Sequence, residues 1–406
     1  MKKEQRKELE PKIQMHIDAQ ERNYFKDEHE RRYKVERRSR ILVILAVLTV
    51  AVFFLTIVLP NGLDSNNVHL SLAWWVDTLR GNFEDLARFL GPEKAEYMSV
   101  IIYRFIVVGL VGAALAISGT VFQGSMKNGL ASPTTLGVQS GGVAGGSIYV
   151  LFFMTESTGL ITSAEITQQK AAMNLFERYA PSFFILAGCF IAVIFVLTVA
   201  RIAGRGKVSS IALILTGMIF GSVVSGITGL VQYWLMLFDS YGERTYQLRF
   251  MMMGTFSRIV TLEEMLLVCV PVAAGLILLL GLSPRLNLLV FGEEDARAMG
   301  IRVEFTRNLM VAICTIITAI VISFCGSIGF VGFFIPHLAR RITGPDFRWL
   351  MPASAMTGAI FLMIIYYIAT CVNYADNINF MTSLIGGIAV LIMLIRYRRK
   401  SNADWA

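Results

Sequence analysis

Charge is scarce in this chain of 406 residues: Asp, Glu, Lys and Arg make up 16% of it, against 55% hydrophobic residues. The apolar runs hold no Asp or Glu in their interiors, and Arg104 is their one clear ionisable residue. Proton- or sodium-driven carriers rely on intramembrane charges or dense polar clusters, so a self-powered secondary transporter is disfavoured. No GxxxxGK followed by Ser or Thr occurs, so the chain does not cradle nucleotide phosphates itself in the usual way. The five cysteines, Cys189, Cys269, Cys314, Cys325 and Cys371, are scattered through or beside apolar runs, with no CxxC and no histidine at ligand spacing. They suggest neither a zinc site nor a disulfide framework. Of four histidines only His337 lies beside an apolar run, and a lone histidine after a proline reads as a helix-start hydrogen-bonding residue. No Ser/His/Asp, Cys/His or paired-carboxylate constellation stands out, so neither catalysis nor a metal or cofactor is expected.

What is present in abundance is apolar sequence. With a mean hydropathy of +0.60 and several uninterrupted runs of bilayer-spanning length, the chain reads as an all-α polytopic membrane protein. Its net charge of +8 sits at the ends of the apolar runs, where positive-inside sorting puts cations, so nucleic acid is not an expected partner. Residues 1–40 form a charged cytoplasmic extension whose basic end (Arg31, Arg32, Lys34, Arg37, Arg38 and Arg40) rests near anionic headgroups. It is too long and too acidic for a signal-peptide start. Residues 41–397 form the membrane domain and residues 398–406 a cytoplasmic tail.

Ten spans satisfy the charge pattern with both termini cytoplasmic. They run from Ile41 to Pro60, Met98 to Val121, Thr134 to Phe153, Ser182 to Ala200, Ile211 to Leu237, Met265 to Leu282, Leu309 to Phe324, a broken Ile328 to Ile342, Leu350 to Val372 and Ile378 to Ile395. Small residues four apart, such as Gly112 with Ala116 and Gly141 with Gly145, predict close helix contact. Arg244, Arg249 and Arg258 form an external basic cluster that sorting alone does not explain.

The stretch from Val290 to Pro345 organises the rest. Glu293, Glu294 and Asp295 occupy the opening turn of a short helix, Arg297 follows, and Gly300 stands where a left-handed cap belongs. With Ala296, Ala298 and Met299 it is smooth enough to enter a groove on another protein. A solvated connector fits the residues equally well. Farther on, Gly326, Gly329 and Gly332 recur every third residue, and Pro336 predicts a new short helix over PHLARRI. Such breaks persist at membrane depth only when packed in protein or lining a cavity, which makes a transport path plausible beside simple helix packing. Gln123, Asn128, Gln139 and Ser140 are polar candidates for that path or its inner gate, with helix–helix hydrogen bonding as the alternative. SGTVFQGSMKNGLASPTTLG and CGSIGFVGFFIPHLARRITG share a small-residue rhythm in opposite orientations, as an inverted repeat would. A passive pathway driven by a partner, with EEDARAMG as its handle, is what remains.

VGAALAISGTVFQGSMKNGLASPTTLGVQSGG, FGEEDARAMGI and GSIGFVGFFIPHLARRITGPDFRWLMPASAMTGAIFL resemble the permease subunits of type II ABC importers for ferric siderophores, haem and vitamin B12. The resemblance covers roughly residues 98 to 395. It implies a multi-pass protein of the bacterial cell membrane that pairs with a second permease, identical or homologous. It also implies two cytoplasmic ATPases and an external substrate-binding lipoprotein. By position it makes Glu293, Glu294, Arg297, Met299 and Gly300 the coupling helix seated in the ATPase. The chain departs from the pattern at the outer side. IIYR keeps only Arg104 of the usual RLPR, Tyr366 and Thr370 replace an acid and an arginine, and ADNIN replaces ELPxG. Arg104, with Arg80, Arg88 or the 244–258 cluster, is therefore the candidate for binding-protein docking. The substrate expected is an iron chelate, a ferric siderophore, with haem and then cobalamin as alternatives. A non-transporting structural or regulatory subunit is the reading from a different class.

Overall fold

A computed structural model describes residues 34–57, 92–129, 131–154, 175–204, 210–238, 244, 248, 251–372 and 374–404. Regular structure among them is helical throughout. The helices are α1 (Lys34–Ile57), α2 (Pro92–Ser125), α3 (Val138–Phe152), α4 (Leu175–Ala203), α5 (Ser210–Phe238) and α6 (Leu262–Gly281). They are followed by α7 (Ser283–Phe291), α8 (Glu293–Ala298), α9 (Val303–Cys325), α10 (Val331–Thr343), α11 (Phe347–Cys371) and α12 (Ile378–Asp404). Seven of these, α1, α2, α4, α5, α6, α9 and α11, are long and apolar enough to cross a membrane. At 15 and 13 residues, α3 and α10 extend only about 20 Å each.

Packing divides the chain between Val47 and Leu48. On the first side, the described residues are the opening turns of α1, where Val43, Ile44 and Val47 are exposed. The sequence boundary at residue 40 falls inside this one helix rather than at its start. The second side holds α2 to α12.

Within that body α2 is the central rod, and glycine decides how closely its neighbours approach. A Cβ on Gly112 would sit 2.3 Å from the Gly358 carbonyl oxygen of α11, and a Cβ on Gly141 of α3 would sit 2.5 Å from the Gly188 oxygen of α4. Neither gap admits a side chain, so the small-residue pairs fix the spacing of these helices. Thr120 adds a polar stitch, its hydroxyl lying 2.9 Å from that of Ser354 on α11.

Two element starts differ from the sequence reading. The third span does not begin as a helix at Thr134: Pro133–Leu136 is a 3-10 turn, and Gly137 at φ +73° breaks it from α3. Pro336 lies inside α10, five residues past its first residue, rather than opening it. A proline removes only the bond to the carbonyl four residues back, that of Gly332. That oxygen points at α2, where a Cβ on Gly119 would stand 1.7 Å from it. The carbonyl that proline leaves without its helical donor thus lies against the Gly119 backbone, and the helix runs on past the proline.

Candidate functional site

Residues chosen from sequence gather at two opposite ends of the body. At the first, α7 begins on Ser283–Pro284, with proline in its opening turn, and leads into α8. The Gly300 N–H donates to the Arg297 oxygen at 2.9 Å and the Ile301 N–H to the Ala296 oxygen at 3.0 Å, while Gly300 itself takes φ +80°. This is the left-handed stop that the glycine predicted. Ala296 is the buried face of α8; Glu294, Asp295, Arg297, Ala298 and Met299 are exposed. Glu293 opens the helix. Met299 is 61% exposed and Phe305, in the first turn of α9, 63%. Two large apolar side chains are thus left bare beside a charged helix.

Beside it, the two glycine-rich stretches meet. Gln123 near the end of α2 donates through Nε2 to the Phe333 oxygen of α10 at 3.1 Å, and the same nitrogen lies 3.4 Å from His337 Nδ1. His337 Nδ1 is also 2.9 Å from the Phe333 oxygen, and a Cβ on Gly129 would stand 3.1 Å from His337 Nε2. The turn after α2 therefore rests on the α10 imidazole. Its backbone is closed by bonds from Asn128 N–H to the Gln123 oxygen at 3.1 Å and from Ala131 N–H to the Asn128 oxygen at 3.1 Å. Gln139 and Ser140 lie in the first turn of α3, and Ser140 Oγ faces Gly221 of α5, 3.2 Å from where a Cβ would be. Gln123 thus bonds α10 directly and Asn128 closes the turn beside it, whereas Ser140 looks toward α5.

The opposite end is built from chain that leaves helical geometry and bonds to itself. The Thr255 N–H donates to the Cys325 oxygen at 2.8 Å, Ser327 N–H to the Met251 oxygen at 3.2 Å, and Ile378 N–H to the Gly254 oxygen at 3.1 Å. The side chain of Asn379 accepts the Gly329 N–H at 2.9 Å and donates to the Met252 oxygen at 3.3 Å. Asp376 accepts the hydroxyls of Thr255, at 2.8 Å, and Ser257. Non-helical backbone at membrane depth needs such partners, and here the residues replacing ELPxG supply them. Arg104 belongs to this knot. Its Nε donates to the Ile259 oxygen and its Nη2 to the Ser257 oxygen, both at 3.1 Å. Tyr366, also a departure, is buried edge-on between Phe105 and Phe256, with centroids 5.2 and 5.3 Å away. Burial lowers the Arg258 pKa from its ordinary value, and the Glu264 carboxylate opposes the shift. Gly326 takes φ +72° as α9 ends, Gly329 meets Asn379, and Gly332 meets α2, so the three glycines do separate work. Arg80, Arg88 and Arg249 lie outside the described residues.

Two features escaped the sequence reading. α5 leaves Ser222, Ser225, Gly226 and Gly229 exposed on one apolar helix, and nothing stands within 4 Å of a Cβ on either glycine. Their three- and four-residue spacing was the available signal. The other is α7, whose Ser-Pro start marks a helix, and whose Asn287 bonds the first turn of α11.

The described residues form a helical membrane body with an exposed charged helix at one end. The chain belongs to the FecCD transport family, whose model matches residues 65–396. It is 32% identical over 307 residues to the cobalamin import system permease protein BtuC of Halobacterium salinarum, covering 75% of this chain and 74% of that one. It is 31% identical over 297 residues to the molybdate import system permease protein MolB of Haemophilus influenzae, covering 73% and 80%. A solved metal-chelate type ABC transporter, in an inward-facing conformation, superposes with a TM-score of 0.65 at 25% identity over 88% of this chain and 99% of that one. The protein is an ABC importer permease of this family, resident in the membrane.

Proposed function

We propose that the chain carries an iron chelate, a ferric siderophore, inward across the cell membrane as one of a pair of permeases driven by two cytoplasmic ATPases. Ten spans with both termini cytoplasmic put α8 inside, where Glu293, Glu294, Arg297, Met299 and Gly300 form the coupling helix. The observation carrying this reading is the exposed α8 with Met299 and Phe305 bare beside it. In the same frame Gln123, Asn128, Gln139 and Ser140 line the inner gate. The uncovered small residues of α5 suit a path shared with the second permease. Arg104, Arg80 and Arg88 are docking candidates for a substrate-binding lipoprotein at the outer end, and the basic end of the N-terminal extension lies on anionic lipid. The metal-chelate neighbour supports an iron chelate. Cobalamin is the second reading, favoured by the Halobacterium salinarum relative.

Purifying the tagged chain in mild detergent from its own iron-starved host, with every co-purifying protein identified by mass spectrometry, tests this. An ATPase, a lipoprotein and a second permease are expected, and the ligand of the lipoprotein names the cargo. Recovery without an ATPase, where a control importer keeps its own, would overturn the importer reading in favour of a non-transporting subunit.

A further inference from the structure

A surface helix moves a gate only if something fixed joins them, because a flexible tether would absorb the displacement. α8 is short and its outward face is bare, and α7, which leads directly into it, is the neighbour whose polar side chain reaches another helix. Asn287 is the half-buried polar residue of α7 that bonds another helix. Its Nδ2 donates to Asp346 Oδ1 at 2.7 Å and its Oδ1 accepts the Phe347 N–H at 2.9 Å. Asp346 is the N-cap of α11, and the same oxygen accepts the Arg348 N–H at 3.0 Å. One amide therefore grips both the cap and the first free N–H of a 25-residue helix.

The grip continues into the gate. Phe347 is buried, and its ring edge fills the place a side chain on Gly124 would take, with Cζ 2.7 Å from that Cβ position. Leu286, next to Asn287, closes the other side at 3.2 Å. Gly124 is thus held between α7 and α11, and its neighbour Gln123 holds α10 through Phe333 and His337. From Asn287 to the α2–α10 contact, each step from one helix to another is a hydrogen bond or a packed ring.

We propose that Asn287 is a positioning residue that transmits displacement of α8, through Asp346 and Phe347, to the Gln123–His337 contact. This rests on the importer reading above. Its signature is the number of cargo molecules moved per ATP hydrolysed, which a loss of stability alone would leave unchanged in whatever complex survives.

The test uses the complete complex in vesicles, with an iron-labelled ferric trihydroxamate as cargo and its binding protein present. Asn287→Leu keeps the branching of the side chain and removes both bonds. The expected result is co-purification with the ATPase, ATP hydrolysis within about twofold of wild type, and a transport-to-hydrolysis ratio lower by about tenfold. Asn287→Asp, which sets two carboxylates together, lowers the ratio likewise. Adding Asp346→Asn restores one acid and one amide and recovers most of it. A wild-type ratio in assembled Asn287→Leu overturns the proposal while leaving the importer reading intact. A wild-type complex that hydrolyses ATP and moves neither this chelate nor cobalamin overturns the importer reading itself, and the joint with it. Should Asn287→Leu not assemble, Asn287→Gln takes its place: it keeps both polar functions on a longer arm, a lowered ratio supports the joint, and a wild-type ratio removes it.

Discussion

The two ends of the α2–α12 body treat their irregular backbone in opposite ways. At the Asp376 end, three backbone pairings and the side chains of Asp376, Asn379 and Arg104 sew residues 251–260, 325–330 and 374–380 together. At the α8 end, the described helices are joined through single side chains: the Asn287 amide, the Gln123 amide and one phenylalanine ring against a glycine. Opening the first means breaking many hydrogen bonds at once, whereas the second shifts by rearranging a handful. The difference teaches where motion would belong under the proposed transport: the sewn end would act as the pivot, and the α8 end, which carries the bare Met299 and Phe305 side chains, as the moving gate.

The harshest way to break this comparison is to strike what both ends share. Gly119 lies where α10 crosses α2, and the atom its Cβ would meet at 1.7 Å is backbone, which cannot rotate away. Gly119→Val is expected to cost more than about 3 kcal/mol and to abolish recovery of folded protein, read as yield and thermal unfolding in detergent. Normal recovery would mean that α2 and α10 separate easily, and the crossing would lose its place as a common axis.

The sewn end comes next. Asp376→Ala removes the acceptor of two hydroxyls, for an expected loss of about 2 kcal/mol seen as a lower Tm. Arg104→Met strips the donors from two carbonyl oxygens and should cost a comparable amount. If Arg104→Met left Tm unchanged but weakened the binding protein, the arginine would belong to docking rather than to the pivot.

How much of this was legible in the sequence follows the same division. The α8 end was readable because its signals are local: acids before a base before a glycine name a capped helix, and Gly300 takes the conformation that order predicts. Close helix contacts were readable from spacing at Gly112 and Gly141. The start of α10 was not, because a proline costs only one carbonyl its bond, and the partner of that carbonyl is Gly119, more than two hundred residues earlier. The roles of Asp376, Asn379 and Asn287 were hidden for the same reason. A side chain that bonds backbone far away in sequence leaves no periodicity, and ADNIN could register only as a missing motif.

The α8 end should respond differently from the sewn end, in function rather than stability. Gly300→Ala puts a side chain at φ +80° in open space, costing about 1 kcal/mol of local strain and little in Tm. If α8 is the handle, transport by the assembled complex falls well beyond what that strain would do to folding. A variant that transports normally would show that the shape of this cap does not matter to the partner.

The smallest change in the isolated chain should carry the clearest message. Met299 is bare, so Met299→Asp removes no buried contact and should alter stability by no more than about 0.5 kcal/mol. A groove that receives a thioether must desolvate a carboxylate instead, at a cost of about 2 kcal/mol or more, enough for at least a thirtyfold loss of affinity. Titrating the purified ATPase against wild type and Met299→Asp in nanodiscs measures that difference directly. An unchanged affinity would place the ATPase on another surface and make α8 the solvated connector that the sequence also allowed. A selective loss, with Tm unmoved, would separate an end that holds the fold from an end that receives force.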